Sequence, residues 1–225
     1  MLPGFIPYGA AAGILPFSFE FLQRGTTTNA AVQTLAAQNL GAVPDVGHKR
    51  YIIAAICAVT NGRTLNSVTI NGVAASLVTR ATFADEIDAM IYIAEVPSGT
   101  SGDVVLTYSG GTEDESSIAL YRMMNPFSAT AHDTEVNNNS WSAGNIAVNL
   151  NVPARGCAVA VVTTRNASTT TWSGLTENYD SDLGAGEFSS GASGSFTPAQ
   201  TPLAISAQNA DTSPTYLVLA AASWG

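Results

Sequence analysis

The chain has 225 residues, 46% of them hydrophobic and only 11% charged, whereas about a quarter of the residues of an average soluble domain are charged. Its formal net charge is −9, and its densest basic run is His48-Lys49-Arg50. Because nucleic acids and anionic membranes are bound through clusters of Lys and Arg, the composition argues against both partners and predicts a soluble protein with a sizeable core.

Residues 1–47 are predicted to form an apolar N-terminal arm outside the main domain. Pro3, Pro7 and Pro16 interrupt its apolar stretch too often for a membrane-spanning helix, and no basic residues precede that stretch as they would in a signal peptide. Disordered tails are polar and charged, so an arm this apolar is expected to pack on its own domain or on a neighbouring subunit. Its aromatic residues are the candidate assembly contacts: Phe5, Tyr8, Phe17, Phe19 and Phe21.

Two short elements are predicted within the arm. Residues 17–21 alternate between apolar and polar side chains with period 2, which predicts a strand. Residues 29–39 are rich in Ala and Gln, which predicts a short helix, ended by Gly41 and Pro44.

Residues 48–225 predict a single all-β domain, a jelly roll or β-sandwich of about ten strands. Residues 50–59 are almost continuously apolar, as in a central strand covered on both faces. Asn71-Gly72 between two alternating runs predicts a tight hairpin, and residues 145–152 alternate as a half-exposed strand does. Further strands are predicted at residues 90–96, 103–108, 116–124, 156–164, 169–172, 203–208 and 215–223. Residues 125–144 are predicted to be a loop, and no fixed-period repeat is apparent.

The two cysteines, Cys57 and Cys157, lie inside apolar runs. Free cysteine behaves as a small core hydrophobe, so buried thiols are favoured, although two cysteines also allow a disulfide. A zinc site is not expected, because neither of the two histidines has ligand spacing to a cysteine.

No catalytic constellation is predicted. His48 and His132 are the only histidines that could act as general bases. His132 is followed by Asp133, but adjacent side chains of an extended segment point apart, and no Gly-x-Ser-x-Gly motif occurs. The acidic clusters at residues 85–88 and 113–115 could serve glycoside hydrolysis, yet they have the turn-like positions of solvated loop acids. The sequence therefore predicts that the protein is not an enzyme.

The segment from residue 180 to residue 187 is the strongest local candidate for a metal site. Asp180, Asp182 and Glu187 offer oxygen ligands, and the glycines between them permit a tight wrap of the kind that calcium requires. The alternative is an ordinary Gly/Asp turn, since the spacing is shorter than an EF-hand loop and no helices flank it. Apart from this calcium ion, no cofactor is predicted.

Trp141 and Trp172 are the candidate carbohydrate-binding residues. Both are surrounded by polar residues in the sequence, and an exposed aromatic ring covers the apolar face of a sugar well. The alternative is that each tryptophan closes one end of the sandwich. Trp224, at the end of the last strand, is predicted to be a core residue.

Five segments within residues 45–225 form a recognisable pattern of strands and turns: Arg50–Ile56, Ser67–Ala74, Ile91–Leu106, Thr171–Glu177 and Ala220–Trp224. With these segments the chain resembles the β-sandwich virion proteins of tailed bacteriophages and gene transfer agents. The resemblance implies a non-enzymatic virion component, on the exterior of the head or in the tail, and supplies no catalytic residue.

The leading hypothesis is an exterior capsid decoration or head-spike-base protein that is anchored in the virion through its N-terminal arm. Other virion proteins of the capsid or the tail, and further copies of the chain in a homo-oligomer, are the expected partners. The first alternative is a tail or tail-tip component. The second is a carbohydrate-binding module that recognises a glycan on the host surface.

Overall fold

The computed structural model describes residues 15–110, 115–140, 144–165, 168–184, 186–211 and 216–225. These residues form seventeen β-strands, and every strand pairing is antiparallel. The described residues contain no helix, and therefore none that is long and apolar enough to cross a membrane. The predicted all-β fold class is confirmed.

The strands divide into two halves of the chain. The first half consists of β1 (Ser18–Thr28), β2 (Val32–Asn39), β3 (Arg50–Val59), β4 (Thr64–Ile70), β5 (Val73–Ala74), β6 (Ser76–Phe83), β7 (Ile87–Glu95), β8 (Ser101–Ser109) and β9 (Glu115–Met124). The second half consists of β10 (Asp133–Ser140), β11 (Asn145–Val152), β12 (Gly156–Arg165), β13 (Thr170–Ser173), β14 (Thr176–Gly184), β15 (Glu187–Phe196), β16 (Gln200–Asn209) and β17 (Tyr216–Trp224).

Each half is a jelly roll of two sheets. In the first half the strand orders are β1-β9-β3-β7-β6 and β2-β8-β4-β5. The β5 and β6 strands are separated by Ala75 alone, so they act as one strand that crosses from the second sheet to the first. Counting them as one gives eight strands in the order of a jelly roll.

The second half repeats this topology with one strand fewer in its outer sheet. Its sheets have the orders β10-β17-β12-β15-β14 and β11-β16-β13. If β5 and β6 are counted as one strand and β10 is matched to β1, the two inner sheets have the same order, and the outer sheets differ only in that β11-β16-β13 has no counterpart of β5. The chain is thus a tandem pair of jelly rolls, a duplication of the fold that has no fixed-period counterpart in the sequence.

The two five-stranded sheets pack face to face, which produces four layers. One buried cluster joins the two inner sheets, for example Ile53 and Ile91 with Val161 and Ala220. A second cluster fills the first jelly roll and a third fills the second. The inner sheets are therefore covered on both faces, and the outer sheets only on one.

This layering explains the hydrophobic patterns of individual strands. All ten residues of β3 are buried: Ile53 faces the other half, whereas Ile52 faces its own outer sheet. In the outer strand β11 buried and exposed residues alternate. Asn71 and Gly72 have φ angles of 51° and 77° and connect β4 to β5 as the two central residues of a hairpin turn. The predictions for these three segments are confirmed.

Two predictions of local structure are wrong. Residues 29–39, predicted to be helical, contain β2, which pairs with β8 because alternate side chains such as Leu35 reach the core. The predicted loop at residues 125–144 contains β10, whose polar side chains suit an edge strand paired with β17. In both segments tertiary pairing overrides a weak local preference.

The N-terminal arm is largely part of the first jelly roll. Residues 18–28 pair with β9 along almost their whole length, and residues 32–39 form the edge of the outer sheet. Residues 1–14 lie outside the described residues. Whether residues 1–47 and 48–225 fold independently, as the division into an arm and one domain predicted, stays untested.

Candidate functional site

The two cysteines are free, buried thiols at the interface between the inner sheets. Cys57 donates to the carbonyl oxygen of Val162 at 3.2 Å, and the Sγ atom of Cys157 lies 3.9 Å from the sulfur of Met123. Burial raises the pKa of Cys57 to about 12 and also raises the pKa of Cys157. Both thiols therefore stay protonated at neutral pH, and the prediction of buried free cysteines is confirmed.

The basic run at residues 48–50 is dispersed rather than displayed on one surface. His48 lies 3.0 Å from the side-chain amide of Asn125, and Lys49 pairs with Glu95 at 3.3 Å. Arg50 is fully buried and donates to six backbone carbonyl groups of the loops at residues 40–42 and 96–99. Its charge thus holds two loops together.

The candidate catalytic residues have structural partners. The carboxylate of Asp133 accepts from the backbone and side-chain nitrogens of Asn151, and the backbone nitrogen of His132 donates to Ser223. Asp88, in the first acidic cluster, is fully buried and forms a two-bond ion pair with Arg80 at 2.8 and 2.9 Å. The hydrogen bonds of Asp133 and His132 and the ion pair of Asp88 therefore have a structural role, in holding neighbouring strands together.

Glu86, in the same cluster, pairs with Arg165 of the other half. In the second acidic cluster only Glu115, at the start of β9, is described; residues 113 and 114 lie outside the described residues.

The predicted calcium ligands lie on a hairpin rather than on a wrapping loop. Asp180 and Asp182 are alternate residues of β14, and Glu187 begins β15 directly opposite Gly184. Glu187 is buried and lies 3.4 Å from the guanidinium of Arg165. No group of three or more His, Cys, Asp or Glu within the described ranges is arranged to hold a metal ion, and calcium binding stays a prediction.

Asp180 has an unusual environment for a carboxylate. Its Oδ2 atom accepts from the backbone nitrogen of Thr170 at 2.7 Å, whereas its Oδ1 atom is buried without a hydrogen-bond partner in the part of the chain that is described. Burial raises the pKa of this carboxyl group. Asp182 is exposed and accepts from the backbone nitrogen of Gly184, as in an ordinary Asx turn.

Of the two tryptophans predicted to bind carbohydrate, the structure describes only Trp172. Trp141 lies outside the described residues. Trp172 is in β13, where its ring packs against the core of the second jelly roll and its indole nitrogen donates to the hydroxyl of Ser190 at 2.7 Å. Carbohydrate binding by either residue stays a prediction. Trp224 is fully buried, which confirms its assignment to the core.

Three of the five aromatic residues proposed as assembly contacts are used inside the fold. Phe17, Phe19 and Phe21 pack against the cluster between the inner sheets. Phe19 stacks on Tyr121 with a centroid distance of 5.7 Å, and Phe21 lies 6.5 Å from the ring of Tyr179 in the other half. Phe5 and Tyr8 lie outside the described residues.

Three neighbouring grooves form a continuous surface at one end of the molecule. The first groove, of about 540 Å³, is lined by Leu77 and Ala129 among others. The second, of about 590 Å³, is lined by Phe127 and Pro153 and shares Thr130 and Ala131 with the first. The third, of about 430 Å³, begins at Arg155, two residues after Pro153.

The third groove is lined by Phe17, Phe19 and Phe196, so it includes a residue that lies two positions after the start of the described chain. The three grooves together are called the apolar track below. Among the described residues that line its second and third grooves there is no Asp or Glu, although the chain carries a net charge of −9.

Exposed apolar side chains lie at the same end of the molecule as the track. Phe127 is 98% exposed, Val46 is fully exposed, and Val43, Leu77 and Leu15 are each about half exposed. Val43 and Val46 lie in the loop before β3, Phe127 lies in the loop after β9, and Leu77 lies near the start of β6. These strand ends share one end of the first inner sheet, because Arg50 is paired with Met124, Tyr51 with Glu95 and Ser76 with Ile93. Leu15 joins them, since the carbonyl oxygen of the next residue, Pro16, accepts from Asn125 at 3.0 Å.

Sequence reasoning missed this surface. Its only local signal was the presence of single large apolar residues in otherwise polar or Gly/Pro-rich loops, as at Val43, Val46 and Phe127. Scattered exposed apolar residues are normal on a soluble protein, so their meaning depends on the fold that brings them to one end.

No protein-family model matches the chain, and no curated protein matches it. Among solved structures, the chain is similar to the PBSX exported protein XepA, with 13% identity over 92% of this chain and 86% of that chain and a TM-score of 0.22. It is also similar to the Macrobrachium rosenbergii nodavirus structure, with 9% identity over 100% of this chain and 99% of that chain and a TM-score of 0.19. Neither likeness is close enough to assign a family.

Proposed function

We propose that the protein is a non-enzymatic structural component of a bacteriophage virion, an exterior capsid decoration or head-spike-base protein. The observation that carries this proposal is the tandem pair of jelly rolls, fused back to back through a buried apolar interface. Jelly rolls form shells in many viruses. Because one fold serves many functions, the surface of the molecule has to support the proposal as well.

The surface suits permanent contacts between subunits. Only 11% of the residues are charged, and several of these charges are used within the fold, as in the Arg80–Asp88 and Arg165–Glu86 pairs. The exposed positions of β11 hold only Asn145, Ala147, Asn149 and Asn151. Short uncharged side chains lose little entropy and little hydration when a partner covers them.

Attachment is proposed to occur at the end of the molecule that carries the apolar track. The anchor is narrower than the predicted arm of residues 1–47, because the strands at residues 18–28 and 32–39 are parts of sheets. It consists of residues 1–14, whose aromatic members are Phe5 and Tyr8. The expected partners are other virion proteins and further copies of this chain.

The proposal is tested on particles of the phage or prophage that encodes the chain. The particles are purified on a density gradient and separated into heads and tails, and the protein is then located by mass spectrometry and by antibody labelling. We expect a fixed ratio of the protein to the major head protein and labelling of the head exterior. Recovery with the tails would favour the tail alternative, and recovery only in the particle-free lysate would contradict a virion role.

A matched pair of variants tests the anchor. Phe5→Ser combined with Tyr8→Ser is expected to lower incorporation into particles severalfold. Val32→Ser, which changes an apolar residue of the β2 edge that is 55% exposed and lies outside the apolar track, is expected to leave incorporation unchanged. Equal incorporation of both variants would remove the anchor from the proposal without removing the virion role.

A further inference from the structure

We infer that the apolar track is the docking surface for residues 1–14 of the same chain. The first argument is the position at which this segment joins the fold. Leu15 and Pro16 lie beside Asn125, and Phe17 lines the third groove. The segment therefore starts at one end of the track and needs no further linker to reach it.

The second argument is chemical complementarity. Residues 1–14 contain no charged side chain and include Leu2, Phe5, Ile6 and Tyr8. The second and third grooves have no Asp or Glu among their described lining residues, and the exposed Phe127 stands beside them. An uncharged apolar segment can cover such a surface while burying little charge, because Arg155 at the rim of the third groove is the one Lys, Arg, Asp or Glu among the described residues that line these two grooves.

The third argument is length. Fourteen residues of extended chain reach about 46 Å at roughly 3.3 Å per residue. Phe17 precedes β1 and Leu77 lies in β6, at opposite edges of the five-stranded inner sheet, so with strands about 4.8 Å apart roughly 19 Å of sheet separates the two ends of the track. Because the segment is tethered at the end of the track, its effective concentration there is far above that of a second molecule. Docking within one chain is therefore favoured over docking on a neighbour in the free protein.

Docking within one chain goes beyond the proposed virion role and does not depend on it. In the free protein the segment would cover the exposed apolar end and keep the protein monomeric. In an assembly the same segment could exchange its own track for that of a neighbour, as in domain swapping, without a new kind of contact.

Hydrogen exchange on the purified full-length chain tests the inference. Deletion of residues 1–14 is expected to speed exchange severalfold at residues 127–132 and 74–78, the segments that contribute lining residues to the track, while residues 32–39 of β2 keep their rate. The Phe5→Ser/Tyr8→Ser variant is expected to give the same pattern in a chain of native length. Unchanged exchange along the track in both variants would overturn the inference.

A disulfide trap distinguishes docking within one chain from docking between two chains. The Phe5→Cys/Phe127→Cys variant is oxidised under mild conditions, in which the native thiols are protected by burial. A disulfide within the monomer is the expected product. A disulfide formed only between two chains would show that the track belongs to a neighbour's segment, and no disulfide at all would show that the segment does not reach Phe127; either result overturns the inference. Both readouts are independent of virions, so failure here leaves the proposed function standing.

Discussion

At the scale of single residues, the few charges of this protein are used to hold the fold together. Arg50 is the clearest case, because a fully buried guanidinium satisfies six carbonyl groups from two loops. Such charge-assisted bonds are strong, and leaving buried carbonyl groups without donors is costly. The sequence presented this arginine as part of a basic run, with no sign that it would be internal.

Arg50→Lys is expected to destabilise the protein by about 2–4 kcal/mol, because an ammonium group has three donors and cannot span both loops. The measurement is urea unfolding followed by circular dichroism. Lys49→Gln is the matched control: Lys49 is exposed, so its loss should change the midpoint little. Equal effects of the two substitutions would contradict the structural role of Arg50.

Asp180 gives a prediction with a defined pH dependence. Burial raises the pKa of Asp180, so the folded state binds this proton more tightly than the unfolded chain does. The contribution of Asp180 to stability is therefore most favourable at acidic pH and is lost as the pH rises through the pKa of the folded state. At pH 7 the charged carboxylate opposes folding, because the cost of its burial outweighs the hydrogen bonds that stabilise it.

Asp180→Asn is expected to be more stable than the natural protein at pH 7, because the amide oxygen can still accept from the backbone nitrogen of Thr170. The advantage should shrink as the pH falls towards about 4, where the carboxyl group becomes protonated in both states. Urea midpoints of the two proteins at pH 7 and pH 4.5 provide the test. A less stable variant at pH 7 would indicate that the charge is compensated.

At the scale of strands, the predictable elements are those whose hydrophobic pattern matches their layer. Both β3 and β12 are apolar on both faces because they lie at the centre of inner sheets, and β11 alternates because it lies in an outer sheet. The β15 strand was missed, although most of its residues are buried. It is built mainly from Ser, Gly and Ala, a composition typical of loops. Such small residues are needed in this strand because large side chains of neighbouring strands pack against it.

Gly191 in β15 shows this requirement. A Cβ atom at Gly191 would lie 2.4 Å from the ring of Tyr179 in β14, which is far below contact distance. Gly191→Ala should therefore cost about 1–3 kcal/mol of stability, as for other overpacked sites. In a double-mutant cycle with Tyr179→Leu the two costs should be less than additive, because the smaller side chain leaves room for the methyl group. Strict additivity would mean that the ring does not restrict position 191.

At the scale of the whole molecule, the duplication could not be seen in the sequence. Equivalent strands share topology and burial but not residues: β3 contains large side chains such as Ile53 and Ile56, where β12 has Ala and Val. The apolar end surface was hidden for the same reason, since Val43, Leu77 and Phe127 are distant in sequence and come to the same end of the molecule only through the pairing of β3 with β9 and β7 and of β7 with β6. The fold class could be predicted from the hydrophobic periodicity of the sequence. The number of layers and the position of the candidate site could be seen only in the three-dimensional structure.

The interface between the halves predicts that they unfold together. Interfaces between domains of one chain are commonly small and polar, which allows independent motion. Here the inner sheets share a buried apolar cluster, reinforced by the hydrogen bond from Thr163 to the carbonyl oxygen of Asp88 and by the stacking of Phe83 on Tyr216. Loss of either half would expose the inner sheet of the other to water, so neither is expected to be stable alone.

Val148→Ala tests this cooperativity because Val148 lies in the core of the second jelly roll, away from the first half. Removing two methyl groups there should cost about 1–3 kcal/mol. In hydrogen exchange under mild denaturant, the slowest amides of β3 and of β12 should lose protection by the same amount, as in one cooperative unit. Val32→Ala, on the exposed edge of β2, is the control and should alter neither strand. Loss of protection confined to β12 would mean that the two jelly rolls unfold separately.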